Sequence, residues 1–138
     1  MRAIILIPLV FSLSSAAIYV LSALYDYHST KSRFVKGAQV IVWKKCKLNN
    51  GIIVHVKLVV PKEAKRTLYG YMEGRIEYGK VLKITDCYDN QYNECISIDP
   101  RKPTVYKVGE TVYPDSYNGD KYNTATNGIH VVLDEEEI

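Results

Sequence analysis

The sequence predicts a mainly β protein, with one N-terminal transmembrane helix followed by a small β-rich domain with long connections. Three observations carry this prediction. Residues 3–24, AIILIPLVFSLSSAAIYVLSAL, contain no charged side chain. Residues 38–60 are rich in β-branched residues at period two, and the rest of the chain breaks into short apolar runs between segments full of Gly, Asn, Asp and Tyr. The implied division is an anchor over 1–24, a juxtamembrane linker over 25–37 and a β-rich domain over 38–138.

The anchor comes first. As a helix, 22 residues reach roughly 33 Å, enough to cross the hydrocarbon core of a bilayer. A secretory signal also fits, with Arg2 as the basic end and Ser14-Ser15-Ala16 as the cleavage site. Retention is favoured because the apolar run continues through Ile18, Val20, Leu21 and Leu24, past the point where a signal turns polar. Tyr25 and Tyr27 follow at the position of interfacial aromatics, and Lys31, Arg33 and Lys36 supply a basic flank expected to touch lipid headgroups on the cytosolic side. The absence of an Asn-x-Ser/Thr acceptor and the odd cysteine count, Cys46, Cys87 and Cys95, agree with a body that is never exported.

Charge is divided along the chain. The net +3 conceals 13 Lys and Arg against 3 acids over residues 31–83, and 4 against 11 over residues 84–138. A basic half next to a bilayer suits anionic headgroups, and an acidic half suits a basic protein partner.

In the body, AQVIVWKKCKL and GIIVHVKLVV read as two strands joined by a tight turn at Asn49-Asn50-Gly51. Ile52, Val54, Val56, Leu58 and Val60 share the face expected to be buried, with His55 and Lys57 on the other. Pro61 ends the strand, and PKEAKRT suits a single helical turn. Further strands are predicted over 75–85, 104–108 and 128–133. The Tyr-rich connections, including Tyr106, Tyr113, Tyr117 and Tyr122, are the expected partner interface, since a phenol combines apolar area with a hydrogen-bonding tip.

No catalytic, cofactor-binding or metal-binding constellation is read from the chain. Cys87 and Cys95 stand too far apart for a zinc knuckle or a redox pair. His130 lies in an apolar strand, where a histidine ordered by a backbone carbonyl is the commoner arrangement. The four acids 134–137 lack the interleaved oxygen ligands of a calcium loop and read as a solvated tail. Lys44, Lys45, Lys47, Lys57, Lys62, Lys65 and Arg66 lie near Trp43 and Tyr69 in sequence, a composition that also occurs on nucleic-acid-binding faces. A membrane tether argues against free search along nucleic acid, so neither nucleic acid nor a small-molecule substrate is an expected partner.

Four stretches, VHVKLVVPKEAKR, GKVLKI, VYKVGETVYPDSY and NGIHVVLDEEE, together resemble an uncharacterised β-rich domain family of tailed-phage and large DNA virus proteins, often joined to pentapeptide repeats. The matching positions are Pro61, Ala64 and Arg66; Tyr106, Val108, Gly109, Val112, Pro114 and Asp115; and Gly128, Ile129 and His130. A cysteine that often precedes Gly-Ile-His in that family is absent here, where Ala125 and Thr126 stand, and there are no pentapeptide repeats. The resemblance implies a viral setting and no known catalysis. The expected function is thus that of a membrane-anchored, non-enzymatic structural protein. It would be a minor virion component linking an internal membrane beneath the capsid to the shell, with the lipid bilayer and other capsid proteins as partners. The alternatives are an exported β-rich binding domain released by signal cleavage, and a degenerate enzyme centred on His130.

Overall fold

The computed structural model describes Ala17 and residues 29–99 and 103–138. The apolar stretch 3–24 falls outside these residues except for Ala17; among the described residues no helix is long and apolar enough to cross a membrane. Among the described residues nine strands follow one another: β1 (Val40–Lys47), β2 (Ile53–Val60), β3 (Arg66–Leu68), β4 (Glu73–Ile76), β5 (Gly79–Thr85), β6 (Glu94–Ser97), β7 (Val105–Lys107), β8 (Thr111–Val112) and β9 (Ile129–Val132). They form one antiparallel sheet in the order β3-β4-β9-β1-β2-β5-β8, with β6 paired to both β1 and β7.

The central hairpin is the one the alternation predicts. β1 and β2 pair from Val40↔Val60 to Lys47↔Ile53, and Val54, Val56, Leu58 and Val60 are fully buried on one face. The turn closes through the Gly51 amide on the Leu48 carbonyl (2.9 Å), with Gly51 at φ 88°, which glycine adopts without strain. Ile52, expected with the buried set, is half exposed because it belongs to this turn and not to the strand.

Branching at β1 lets a single sheet enclose its own core. Hydrogen bonding runs from β1 to β2, β5 and β8; β8 joins β7 through the Gly109 turn; β7 pairs with β6, and β6 returns to β1 at Cys46↔Ser97. Inside this circuit lie Cys46, Val54, Val56, Ile84, Cys95, Tyr106 and Val112, all buried. The second arm, β9-β4-β3, leaves the same edge of β1 at Trp43↔Val132.

Residues 29–35, expected to lie in a linker over 25–37, are helical, and Phe34 is fully buried. Its ring fills the space over Gly74, where a Cβ would stand 2.7 Å from Phe34 Cζ and 2.8 Å from the Thr67 carbonyl oxygen. The polar composition of this segment conceals one anchoring aromatic. The expected helical turn in PKEAKRT is instead a tight turn, closed by the Ala64 amide on the Pro61 carbonyl (3.1 Å), leading into β3. Arg66 holds it there, donating to the carbonyls of Ala38 (2.5 Å), Pro61 (2.7 Å) and Ala64 (3.3 Å) while lying 5.7 Å over the Phe34 ring. The strand predicted over 75–85 is two strands: Glu77 and Tyr78 turn the chain between β4 and β5.

Candidate functional site

Two surfaces of opposite character grow from β1. On its outer face, odd-numbered residues of β1 and β2 point away from the core, and cross-strand pairing places Ile41 beside Val59, Trp43 beside Lys57, Lys45 beside His55 and Lys47 beside Ile53. β5 extends the face: Lys57 stands opposite Lys83 and Val59 opposite Lys80, with a bulge between that leaves Leu82 exposed. Five lysines, Lys45, Lys47, Lys57, Lys80 and Lys83, therefore share one sheet face with Trp43. The Lys57 ammonium lies 5.6 Å from the centre of the Trp43 ring. None of the five forms an ion pair with a described carboxylate; Glu135 reaches this face but bonds His55 Nδ1 at 3.1 Å.

The second surface is a polar cleft of about 480 Å³ where β9 and β6 part along β1. Lys44, one of two residues of β1 between the two pairings, enters it and donates to the His130 carbonyl at 2.9 Å. Burial lowers the Lys44 pKa, against a raising effect from the Cys46 thiol. Ser97, Thr104, Asp115, Thr126 and His130 are among the other walls. His130 donates from Nε2 to the Thr126 carbonyl (2.7 Å), so its neutral form accepts at Nδ1 from the Tyr69 hydroxyl (3.0 Å). Burial lowers its pKa, the Thr126 bond opposes this, Lys44 and Arg75 lower it further, and Glu73 raises it. Both ring nitrogens are thus engaged inside the protein. The expected arrangement of a histidine ordered by a carbonyl is present.

Behind the cleft, Arg75 orders the long connection 113–128. It is fully buried, lies 5.0 Å over the Tyr69 ring, and donates to the carbonyls of Asn118 (3.2 Å), Asp120 (2.5 Å) and Asn123 (2.5 Å). Gly128 passes so close that a Cβ would sit 3.2 Å from Arg75 Cβ and from Tyr117 Cδ2, and its φ of 140° is one that residues with side chains rarely adopt.

The predicted site residues divide accordingly. Lys31 packs 5.3 Å over the Tyr71 ring, the exposed Arg33 donates twice to the Gln39 carbonyl (2.8 and 3.1 Å), and Lys36 is exposed. Of the four interface tyrosines, Tyr106 is 2% exposed and belongs to the core, because β7 turns it inward opposite Cys95. Tyr117 is half buried and hydrogen-bonded to the Thr67 hydroxyl, which makes it a clasp for the long connection. Tyr113 and Tyr122 remain at the surface, 65% and 85% exposed, with Tyr113 leaning on Tyr78 at 5.4 Å. The acidic run is partly folded back: Asp134 caps a 3₁₀ turn over Glu135–Glu137 by accepting from the Glu136 amide. Cys46 and Cys95 are buried together and Cys87 is exposed; the hydrogen bond that the Cys95 thiol donates to Cys46, together with burial, raises the Cys95 pKa. Among the described residues no group of three or more His, Cys, Asp or Glu is placed to hold a metal.

Sequence reading missed Arg75, Lys80 and Lys83. The signal for the lysines was present in GKVLKIT, but their joining to β2 depends on strand pairing that no local pattern encodes.

These features define an antiparallel β domain with two arginine staples and one lysine-rich sheet face. Residues 30–138 match a family of unknown function (DUF5758), and the chain belongs to that family. The match includes the helical residues that carry Phe34. No curated protein matches the chain, and no solved structure matches it.

Proposed function

We propose that this chain is a membrane-anchored structural protein that acts through binding surfaces and not through catalysis. In the viral setting that the resemblance implies, it is a minor virion component linking an internal membrane to the capsid shell. The observation that carries the non-catalytic part is what the shared motif residues do. Arg66 staples a turn, Tyr106 fills the core, Gly128 clears Arg75, and His130 is bonded at both nitrogens. Such residues maintain a scaffold, which leaves binding to the surface. The anchor rests on the uncharged stretch 3–24, since one charge at the centre of a span costs about 2.5–3.5 kcal/mol on the insertion scale.

Extraction at alkaline pH tests the anchor: the chain is expected to stay with membranes in carbonate and to leave only in detergent. Recovery in the carbonate supernatant overturns it. A mature terminus near Ala17 would identify the exported alternative. Cross-linking of intact particles tests the partner, with Tyr113 and Tyr122 expected at the contact and a shell protein expected as the neighbour.

A further inference from the structure

We infer that the lysine face of β1, β2 and β5 docks flat on an anionic lipid surface, with Trp43 at the headgroup boundary. The inference rests on the membrane-anchored reading and supplies its docking surface, which lies elsewhere than the Lys31, Arg33 and Lys36 flank.

The face carries five lysines from three adjacent strands, none in an ion pair with a described carboxylate, and Glu135, which reaches it at its Lys45 end, is held by His55. Lys57 and Lys83 are directly opposed, an arrangement that destabilises a sheet when nothing neutralises it. An isolated fold has no use for that repulsion. A negatively charged surface removes it on contact, which is the complementarity that selects the partner.

The kind of anionic partner follows from the side chains. Every cation on this face is a lysine, a mobile point charge suited to a laterally averaged layer of headgroups, whereas the arginines Arg66 and Arg75, suited to bidentate recognition, are turned inward. Trp43 is half buried and Lys57 lies over its ring, so the flat approach that a stacked base requires is partly taken. Ile41 and Val59 near it, and the exposed Leu82 on β5, add apolar surface among the ammonium groups. Lysine stems, aliphatic side chains and one indole together are the composition of an interfacial contact. A single-stranded nucleic acid is the competing occupant.

Trp43 is the sole tryptophan of the chain, so its fluorescence reads this face alone. The full chain is reconstituted in phosphatidylcholine bilayers and in bilayers that also contain phosphatidylserine. A blue shift of Trp43 and its quenching by brominated lipid are expected only with phosphatidylserine, and both are expected to fade at high salt. Lys57→Gln, Lys80→Gln and Lys83→Gln together should weaken docking on the order of a hundredfold, from about fivefold per lysine, while the thermal midpoint does not fall. Equal Trp43 spectra in the two bilayers, or an unaffected triple variant, would overturn the proposal. So would lysine-dependent quenching by an oligothymidylate with no response to phosphatidylserine. If carbonate strips the chain from both bilayers, the anchor is what fails, and adding the same chain to preformed phosphatidylserine vesicles still reads the face: a Trp43 shift supports it and none refutes it.

Discussion

Arg66 and Arg75 in the β3–β4 arm, and Lys45, Lys47, Lys57, Lys80 and Lys83 on β1, β2 and β5, are all cationic residues of the same sheet, yet they do opposite things. Each arginine is surrounded by three backbone carbonyls and an aromatic ring, and each fixes a segment that has no regular structure of its own. The lysines hold no carbonyl; Lys57 lies over the Trp43 ring and stands opposite Lys83. A buried cation is tolerable when its protons are matched by acceptors with good geometry, and the guanidinium fork does this for several carbonyls at once. An ammonium group suits the surface, where water or a partner supplies the counter-charge. The basic half of the chain is therefore two populations, and sequence charge alone overstates the docking surface.

Loss of an arginine staple should have the largest effect. Arg75→Ala removes the donors of three carbonyls and opens the packing around Gly128, so destabilisation of about 3 kcal/mol or more is expected, seen as a lower denaturant midpoint at unchanged slope. Arg75→Lys should recover little of it, because an ammonium group cannot span the Asn118, Asp120 and Asn123 carbonyls. A near-neutral Arg75→Ala would erase the distinction between the two populations. Phe34→Ala, which empties the space over Gly74, should lower stability by about 3 kcal/mol in the same measurement.

On the lysine side the sign should reverse. Lys83→Glu converts the opposed pair with Lys57 into an attractive one and should stabilise the fold by about 0.5 kcal/mol, while weakening adsorption to anionic vesicles. Destabilisation would mean that Lys83 has a structural role not visible in its contacts.

Acid titration sharpens the same contrast at lower amplitude. The His130 pKa lies below the ordinary 6.5, chiefly through burial, so the unfolded chain takes up the proton first. Its contribution is complete above the ordinary value and is lost as pH falls through it toward the folded pKa. His130→Gln should remove that limb from a plot of stability against pH. Asp86 acts lower down. Burial pushes its carboxyl up, but hydrogen bonds from the Asn90 side chain, the Tyr92 hydroxyl and the Asn90 and Tyr88 amides outweigh this and hold it at about 2. Its contribution is present above the ordinary 3.8 and disappears as pH falls toward 2, a loss that Asp86→Asn should abolish.

The β1–β2 hairpin was legible because both of its determinants are local: the alternation of Val54, Val56, Leu58 and Val60, and a glycine at positive φ in the turn. β3, β6 and β8 were missed because strands of two to four residues are too short to display a period, and they persist through pairing with longer neighbours. The tyrosines were read by composition, which cannot separate Tyr106, inside the core, from Tyr113, on the surface. At the candidate site, Trp43, Lys45, Lys47 and Lys57 were visible as a basic and aromatic run. Lys80 and Lys83 join them only through the bulged register of β5 on β2, and Arg75 acquires its role only when a connection some 45 residues later in the chain folds back over it.

The closed path from β1 through β2, β5, β8, β7 and β6 has a chemical consequence. It seals Cys46 and Cys95 inside and leaves Cys87 outside, so the native chain offers an electrophile one accessible thiol. A label placed at Cys87 needs no prior cysteine removal, and the later, slower reaction of the sealed pair times the parting of β6 from β1. That rate, followed under native conditions, reports the opening free energy of the enclosure itself, independently of how the other arm of the sheet behaves.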